Sequence, residues 1–196
     1  MKIIVATGNL HKIEELNRIL TGHELLLPSD AGIENWDCEE TGSTYLANAM
    51  LKAESLYDSL QCPVLADDSG INVAALNGAP GIYSARYGSA EKGRNLESEE
   101  RNLFLLENMK GAADREAWFT CCMVLILDKY RVFTAQETFH GMITETPGGT
   151  GGFGYDPLFF LEEYGKTVAE LPGDLKNRIS HRGRAGQRIQ SILASL

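Results

Sequence analysis

No stretch of this sequence approaches the ~18 consecutive apolar residues that a membrane-crossing helix needs. The longest apolar run, CCMVLIL at 121–127, has the length of a strand. The opening segment MKIIVATGN turns polar after a short apolar run, which predicts no secretory leader. The four cysteines (Cys38, Cys62, Cys121 and Cys122) have no CxxC spacing, which argues against a zinc site or a disulfide framework. Reduced thiols in a cytoplasmic protein are the expectation. Positive charge is also scarce. The formal net charge is -9, unsuited to a surface that coats nucleic acid. Repeats, low-complexity tracts and linkers are absent. With 43% hydrophobic and 23% charged residues, the 196-residue chain has an ordinary globular composition and is expected to form one domain, 1–196.

Glycine, by contrast, is concentrated. GGTGGFGYDP, residues 148–157, places five glycines in seven positions. Each loses more freedom on folding than alanine, by about 0.5–1 kcal/mol. Such a run suggests that something must approach the backbone closely. Basic residues are concentrated too: Lys166, Lys176, Arg178, Arg182, Arg184 and Arg188 face only Glu170 and Asp174 in their segment. An acidic body with one basic segment suits a small polyanion, although a solvated basic helix fits the charge pattern equally well.

The hydrophobic periodicity predicts alternating strands and helices. KIIVAT reads as a buried strand, and a helix with Ile13, Leu16, Ile19 and Leu20 on one face follows it. ELLLP is a second short strand. A helix is expected over 44–60, capped by Ser43 or Thr44, and PVLAD is a short strand opening onto DSG. ALNGAPGIYSARYG has the chemistry of a surface loop. A helix near 99–108 precedes two long strands joined by a tight turn at 128–130. Ser180 can cap a closing helix. The predicted class is α/β with a mixed sheet.

Two stretches carry recognisable chemistry on their own. ATGNLHK leaves a strand and enters a helix, where free backbone amides and the helix dipole favour an anion. Thr7 and Asn9 add donors and Lys12 a cation, but the P-loop spacing is absent. In LADDSGI, neighbouring Asp67 and Asp68 point to opposite sides of a strand. Two carboxylates there are costly to desolvate without a cation, and Mg²⁺ is the natural candidate. A simple turn or cap is a credible role for one of the two, less so for both. Glu39 and Glu40 precede a helix, where acidic residues are favourable without any function. Lys52, on a mostly apolar helix, is of a type that commonly snorkels to solvent. His181 and Arg182 open the last helix.

Taken in order, TGNLHK, EETGSTYLANAMLKA, ADDSGI, GAPGIYSARY, GTGGFGYDPLF, GKTVAEL and SHRGRA resemble the inosine-triphosphate pyrophosphatase family across essentially the whole chain. The resemblance implies an elongated two-lobed α/β fold with a long mixed sheet flanked by helices, an active-site cleft between the lobes, and a homodimer. It implies hydrolysis of dITP, ITP or XTP to the monophosphate and pyrophosphate with Mg²⁺. Matched residue by residue, Thr7, Gly8, Asn9, Leu10, His11 and Lys12 look like the triphosphate loop. Asp68 matches the catalytic, metal-associated aspartate, Ser69 a substrate contact, and Lys52 the lysine that reaches the phosphates. Glu39 looks like the metal-linked glutamate, with Glu40 beside it leaving the register open. Phe153, Gly154, Tyr155, Asp156, Lys176, His181 and Arg182 look like the nucleoside pocket.

The expected reaction is in-line attack by a metal-polarised water, deprotonated by Asp68 or Asp67, with Lys12 and Lys52 stabilising the departing pyrophosphate. Phe153 would stack on the base, Asp156 would fix either the loop or the sugar, and Arg182 or backbone amides would read a 6-oxo group. The alternatives are a non-catalytic purine nucleotide sensor and a Maf-like pyrophosphatase for other modified nucleotides. Nucleic acid and membrane are not expected partners.

Overall fold

A computed structural model describes residues 1–196. Seven strands form one mixed sheet: β1 (Lys2–Val5), β2 (Glu24–Leu26), β3 (Val64–Val73), β4 (Glu116–Asp128), β5 (Arg131–Ile143), β6 (Phe159–Leu161) and β7 (Lys166–Thr167). Their order is β2-β1-β3-β4-β5-β6-β7. β1 pairs in parallel with β2 and with β3, whereas β6 is antiparallel to β5 and β7. Only Lys129 and Tyr130 separate β4 from its neighbour β5, and so short a connection can join only antiparallel strands. Six helices accompany the sheet: α1 (Leu10–Ile19), α2 (Tyr45–Leu60), α3 (Ser89–Lys92), α4 (Ser98–Asn108), α5 (Gly173–Ile179) and α6 (His181–Ala194). The α/β class with a mixed sheet is as expected.

The helices start where side chains can replace missing backbone partners. Asn9 accepts the His11 amide at the start of α1, Thr44 accepts that of Ala47 in α2, and Ser180 accepts that of Gly183 in α6. Such a cap is worth about 1 kcal/mol.

The chain divides into two compact units. The first comprises residues 1–69, 121–137 and 179–196, and the second 70–120 and 138–178. Within the first unit, strand alternation sorts side chains onto two faces. Ile3, Val5, Leu65, Cys121, Met123 and Leu125 pack with Ile13 and Leu16 of α1 and with Ala185 and Ile189 of α6. Ile4, Ala6, Val64, Ala66, Val124 and Ile126 pack with Ala49, Ala53 and Leu56 of α2. α6 lies so close to α1 that a Cβ at Gly186 would sit 2.7 Å from Ile19 Cγ2. In the second unit, Phe159 of β6 meets Phe119 and Phe139 with ring centroids 4.7 and 5.5 Å apart.

Two local expectations differ from the structure. The strand beginning at PVLAD does not end at the aspartates but runs on to Val73. Its second half is held by side chains: Ser84 Oγ accepts the Ile71 amide at 2.9 Å, and Asn72 donates to Trp118 O and Thr120 Oγ1. The 75–88 stretch, read as a surface loop, overlaps two 3₁₀ turns, and Ser84 within it is buried.

Candidate functional site

Alternation along β3 sends its two aspartates to different helices. Asp67 continues the face of Leu65, toward α1 and α6. Its carboxylate lies 2.9 Å from Lys12 Nζ. It also accepts from Arg182 Nε and Nη2 at 3.2 and 3.0 Å. Burial alone would raise the Asp67 pKa, but the cations of Lys12, Arg182 and Lys52 hold it far below the usual carboxylate range. Cys121 Sγ is 3.9 Å from the same carboxylate. Burial and that negative charge push the thiol pKa strongly upward, leaving an inert thiol rather than a nucleophile.

Asp68 continues the face of Ala66, toward α2. Lys52 Nζ donates to Asp68 Oδ1 at 3.1 Å, and Asn48 Nδ2 donates to Oδ2 at 3.3 Å. Asn48 and Lys52 are four residues apart and share one helix face. The Gly42 amide donates to Asn48 Oδ1 at 2.8 Å, which turns the Asn48 amino group toward Asp68. Lys52 also reaches Glu40 Oε1 at 2.6 Å. Burial, reinforced by Glu40, raises the Asp68 pKa despite the opposing Lys52 and Lys12. Burial pulls the Lys52 pKa down, yet Asp68, Asp67 and Glu40 outweigh it and leave it raised. Far from snorkelling, Lys52 is 7% exposed.

Lys52 therefore places an ammonium between two carboxylates, and the same pair suits a divalent ion. Mg²⁺ takes oxygen ligands and is commonly held by one or two carboxylates plus substrate phosphates. No cluster of three or more His, Cys, Asp or Glu residues that could hold a metal ion is present. Glu40 is the glutamate at Lys52, while Glu39 is exposed.

The 7–12 loop lies where β1 hands over to α1. Thr7 is buried and its Oγ1 accepts the Asn9 amide at 3.1 Å. Gly8, Leu10 and His11 are exposed, and a Cβ at Gly8 would meet nothing within 4 Å. One turn further along α1, Glu15 Oε2 accepts from Arg182 Nη1 at 2.8 Å. Arg182 Nη2 also donates to Ser69 Oγ at 2.8 Å. Arg182 is 2% exposed, and its guanidinium is committed to Asp67, Glu15 and Ser69. The buried His181 precedes it at the start of α6.

The remaining expected residues belong to the second unit and cluster there. Asp156 Oδ2 accepts the Phe153 amide at 2.8 Å and Lys176 Nζ at 2.6 Å. Asp156 thus fixes the loop, one of its two expected roles. Lys176 Nζ also sits 4.5 Å from the Phe153 ring centroid, a cation–π contact. Tyr155 is buried, and its hydroxyl donates to Ser84 O at 2.9 Å. The glycine run is well anchored. Gly151 N donates to Ala169 O, Gly148 N to Pro157 O, and Thr167 Oγ1 to Gly148 O. Gly149 and Gly152 adopt φ of +75° and +69°. A Cβ at Gly152 would overlap the Asp156 carboxylate, and one at Gly149 would lie 2.7 Å from the Ala169 carbonyl carbon. The close approach inferred from the glycines is therefore made first by the protein's own atoms, the Ala169 backbone and the Asp156 side chain.

Three participants had not been singled out from the sequence. Asn48 and Glu15 sit at i−4 from Lys52 and i+3 from Lys12, spacings that offered a signal. Asn102, whose Nδ2 donates to Gly154 O at 3.0 Å, is far from it in sequence and offered none.

The fold and this arrangement of charge place the chain among α/β proteins in which a strand-to-helix loop adjoins a buried ionic centre. Residues 3–192 match the sequence profile of the Ham1 family, and the chain belongs to that family. It is 56% identical over 185 residues to a dITP/XTP pyrophosphatase of Treponema denticola, with 94% of each chain covered. It is 42% identical over 191 residues to a dITP/XTP pyrophosphatase of Escherichia coli K12, covering 94% of this chain and 93% of that one. Among solved structures, a HAM1 protein from Coxiella burnetii superposes with a TM-score of 0.90 at 35% identity, with both chains fully covered. The Staphylococcus aureus Ham1 protein gives 0.88 at 37% identity, covering 100% of this chain and 99% of that one.

Proposed function

We propose that the protein hydrolyses non-standard purine nucleoside triphosphates (dITP, ITP, XTP and dXTP) to the monophosphate and pyrophosphate. The observation that carries this reading is the Asp68 carboxylate, buried between Lys52 and Asn48 and sharing Lys52 with Glu40. Relatives named dITP/XTP pyrophosphatase, matched over nearly the full length, support it.

Asp68 is the base and Asp67 is not. Asp67 is locked by Arg182 and Lys12, and its depressed pKa gives it little appetite for a proton. Asp68 has the higher proton affinity of the two. It accepts a proton from water as the water oxygen bonds to the α-phosphorus, and the bond from that phosphorus to the bridging oxygen breaks to release pyrophosphate. Lys12, Lys52 and the amides at the start of α1 stabilise the charge on the leaving group. A divalent ion, Mg²⁺ in this reading, would be held by Asp68 with Glu40 or Glu39 and would supply charge neutralisation at the phosphates. Phe153 offers a stacking surface for the base, and Lys176 a cation beside it. Residues 1–196 act as one functional domain, and a cytoplasmic homodimer acting on free nucleotides completes the reading.

The test is pyrophosphate release with Mg²⁺ from ITP, XTP and dITP against ATP, GTP and UTP. Release confined to the first three is expected. Equal release from ATP would overturn the selectivity, and no release from any of them would leave a binding protein.

A further inference from the structure

We propose that Asn102 is a positioning residue for the purine base, a role that rests on the function proposed above. It lies in α4, is 4% exposed, and donates through Nδ2 to Gly154 O at 3.0 Å. Gly154 directly follows Phe153. The flanking groups are fixed by side chains: the Phe153 amide by Asp156 at 2.8 Å, and the Tyr155 ring by its hydroxyl on Ser84 O at 2.9 Å. Gly154 has no side chain of its own to lock it, and its φ is +62° with open space where a Cβ would project. The Asn102 amide supplies the missing restraint through the carbonyl. Together the three contacts fix the backbone that carries the Phe153 ring.

A second observation separates this role from ordinary stabilisation. Asn102 Oδ1 is buried without a hydrogen-bond partner. A half-satisfied buried amide destabilises a fold relative to an apolar side chain. An asparagine kept for packing alone would be better replaced by leucine. What leucine cannot supply is the donor to Gly154.

Two variants test the assignment. Asn102→Leu removes both polar atoms, and Asn102→Asp keeps the size but turns a donor into an acceptor facing a carbonyl. For each we expect the KM for ITP to rise about tenfold, the equivalent of one lost hydrogen bond, with kcat held within about threefold. Asn102→Leu should melt no lower than the wild type, because the orphaned oxygen is gone. An unchanged KM in both variants overturns the proposal, as does a fall in kcat that parallels a fall in Tm. If Asn102→Leu does not fold, that too overturns it, since the residue is then structural. A wild type that releases no pyrophosphate from ITP overturns the functional reading and this assignment with it, whereas an active wild type with unaffected variants overturns this assignment alone.

Discussion

Asp67 and Asp68 are neighbours on β3, yet their carboxylates are held by different helices. Asp67 is held by Lys12 of α1 and Arg182 of α6, Asp68 by Asn48 and Lys52 of α2. In the proposed function, the alternation of a strand turns this adjacent pair into two separate devices, one structural and one chemical.

Replacing each aspartate by asparagine should separate those devices. Asp68→Asn should abolish turnover while changing the urea midpoint little. Asp67→Asn leaves the buried Arg182 short of its main counter-charge, and breaking such a pair costs about 3–5 kcal/mol. Urea unfolding followed by circular dichroism distinguishes them. Equal loss of stability in both would contradict the division.

The glutamate that serves the metal can be settled by titration. Glu40 reaches Lys52 whereas Glu39 is exposed, so Glu40→Gln should raise the Mg²⁺ concentration for half-maximal rate by about tenfold or more. Glu39→Gln should shift it little. The opposite order would restore the position that the family resemblance favours.

The pH dependence follows from the raised Asp68 pKa. With Asp68 as the proposed base, the working form is the carboxylate, so activity should rise as pH climbs through that pKa and be lost below it. The acid limb of kcat/KM should lie above the ordinary 3.8 of an aspartate. A bound cation favours the charged carboxylate, so more Mg²⁺ should move the limb to lower pH. A limb at the ordinary value, unmoved by metal, would argue against Asp68 as base.

Gly152→Ala should be poorly tolerated. It combines a φ of +69° with overlap on the carboxylate that holds both Phe153 and Lys176. A strained position of this kind costs on the order of 1–3 kcal/mol. The KM for ITP should rise accordingly, while Gly154→Ala, strained by its φ of +62° but with open space around it, should be milder. Steady-state kinetics on the two variants provides the comparison.

Much of this was readable in advance because periodicity and caps are local properties. Asn9, Thr44 and Ser180 mark the starts of α1, α2 and α6 as their side-chain chemistry predicts. The extent of β3 was not readable. DDSG consists of poor strand formers, and what keeps it extended is supplied from elsewhere: lysines and an arginine on three helices, then Ser84, Trp118 and Thr120. The burial of Lys52 was hidden for the same reason, since its two carboxylate partners are 12 and 16 residues away. The resemblance supplied candidate residues, but which of them touch depends on the folded chain. Arg182 gripping Asp67 across 115 positions is the plainest case.

The ammonium of Lys52 has a consequence for how this protein behaves between turnovers. Because a resident positive group already balances Asp68 and Glu40, withdrawing the proposed divalent ion would not strand bare anions in the interior. A chelator should therefore silence catalysis yet leave the melting curve where it was, so that the scaffold waits, assembled, for the next ion and nucleotide to arrive.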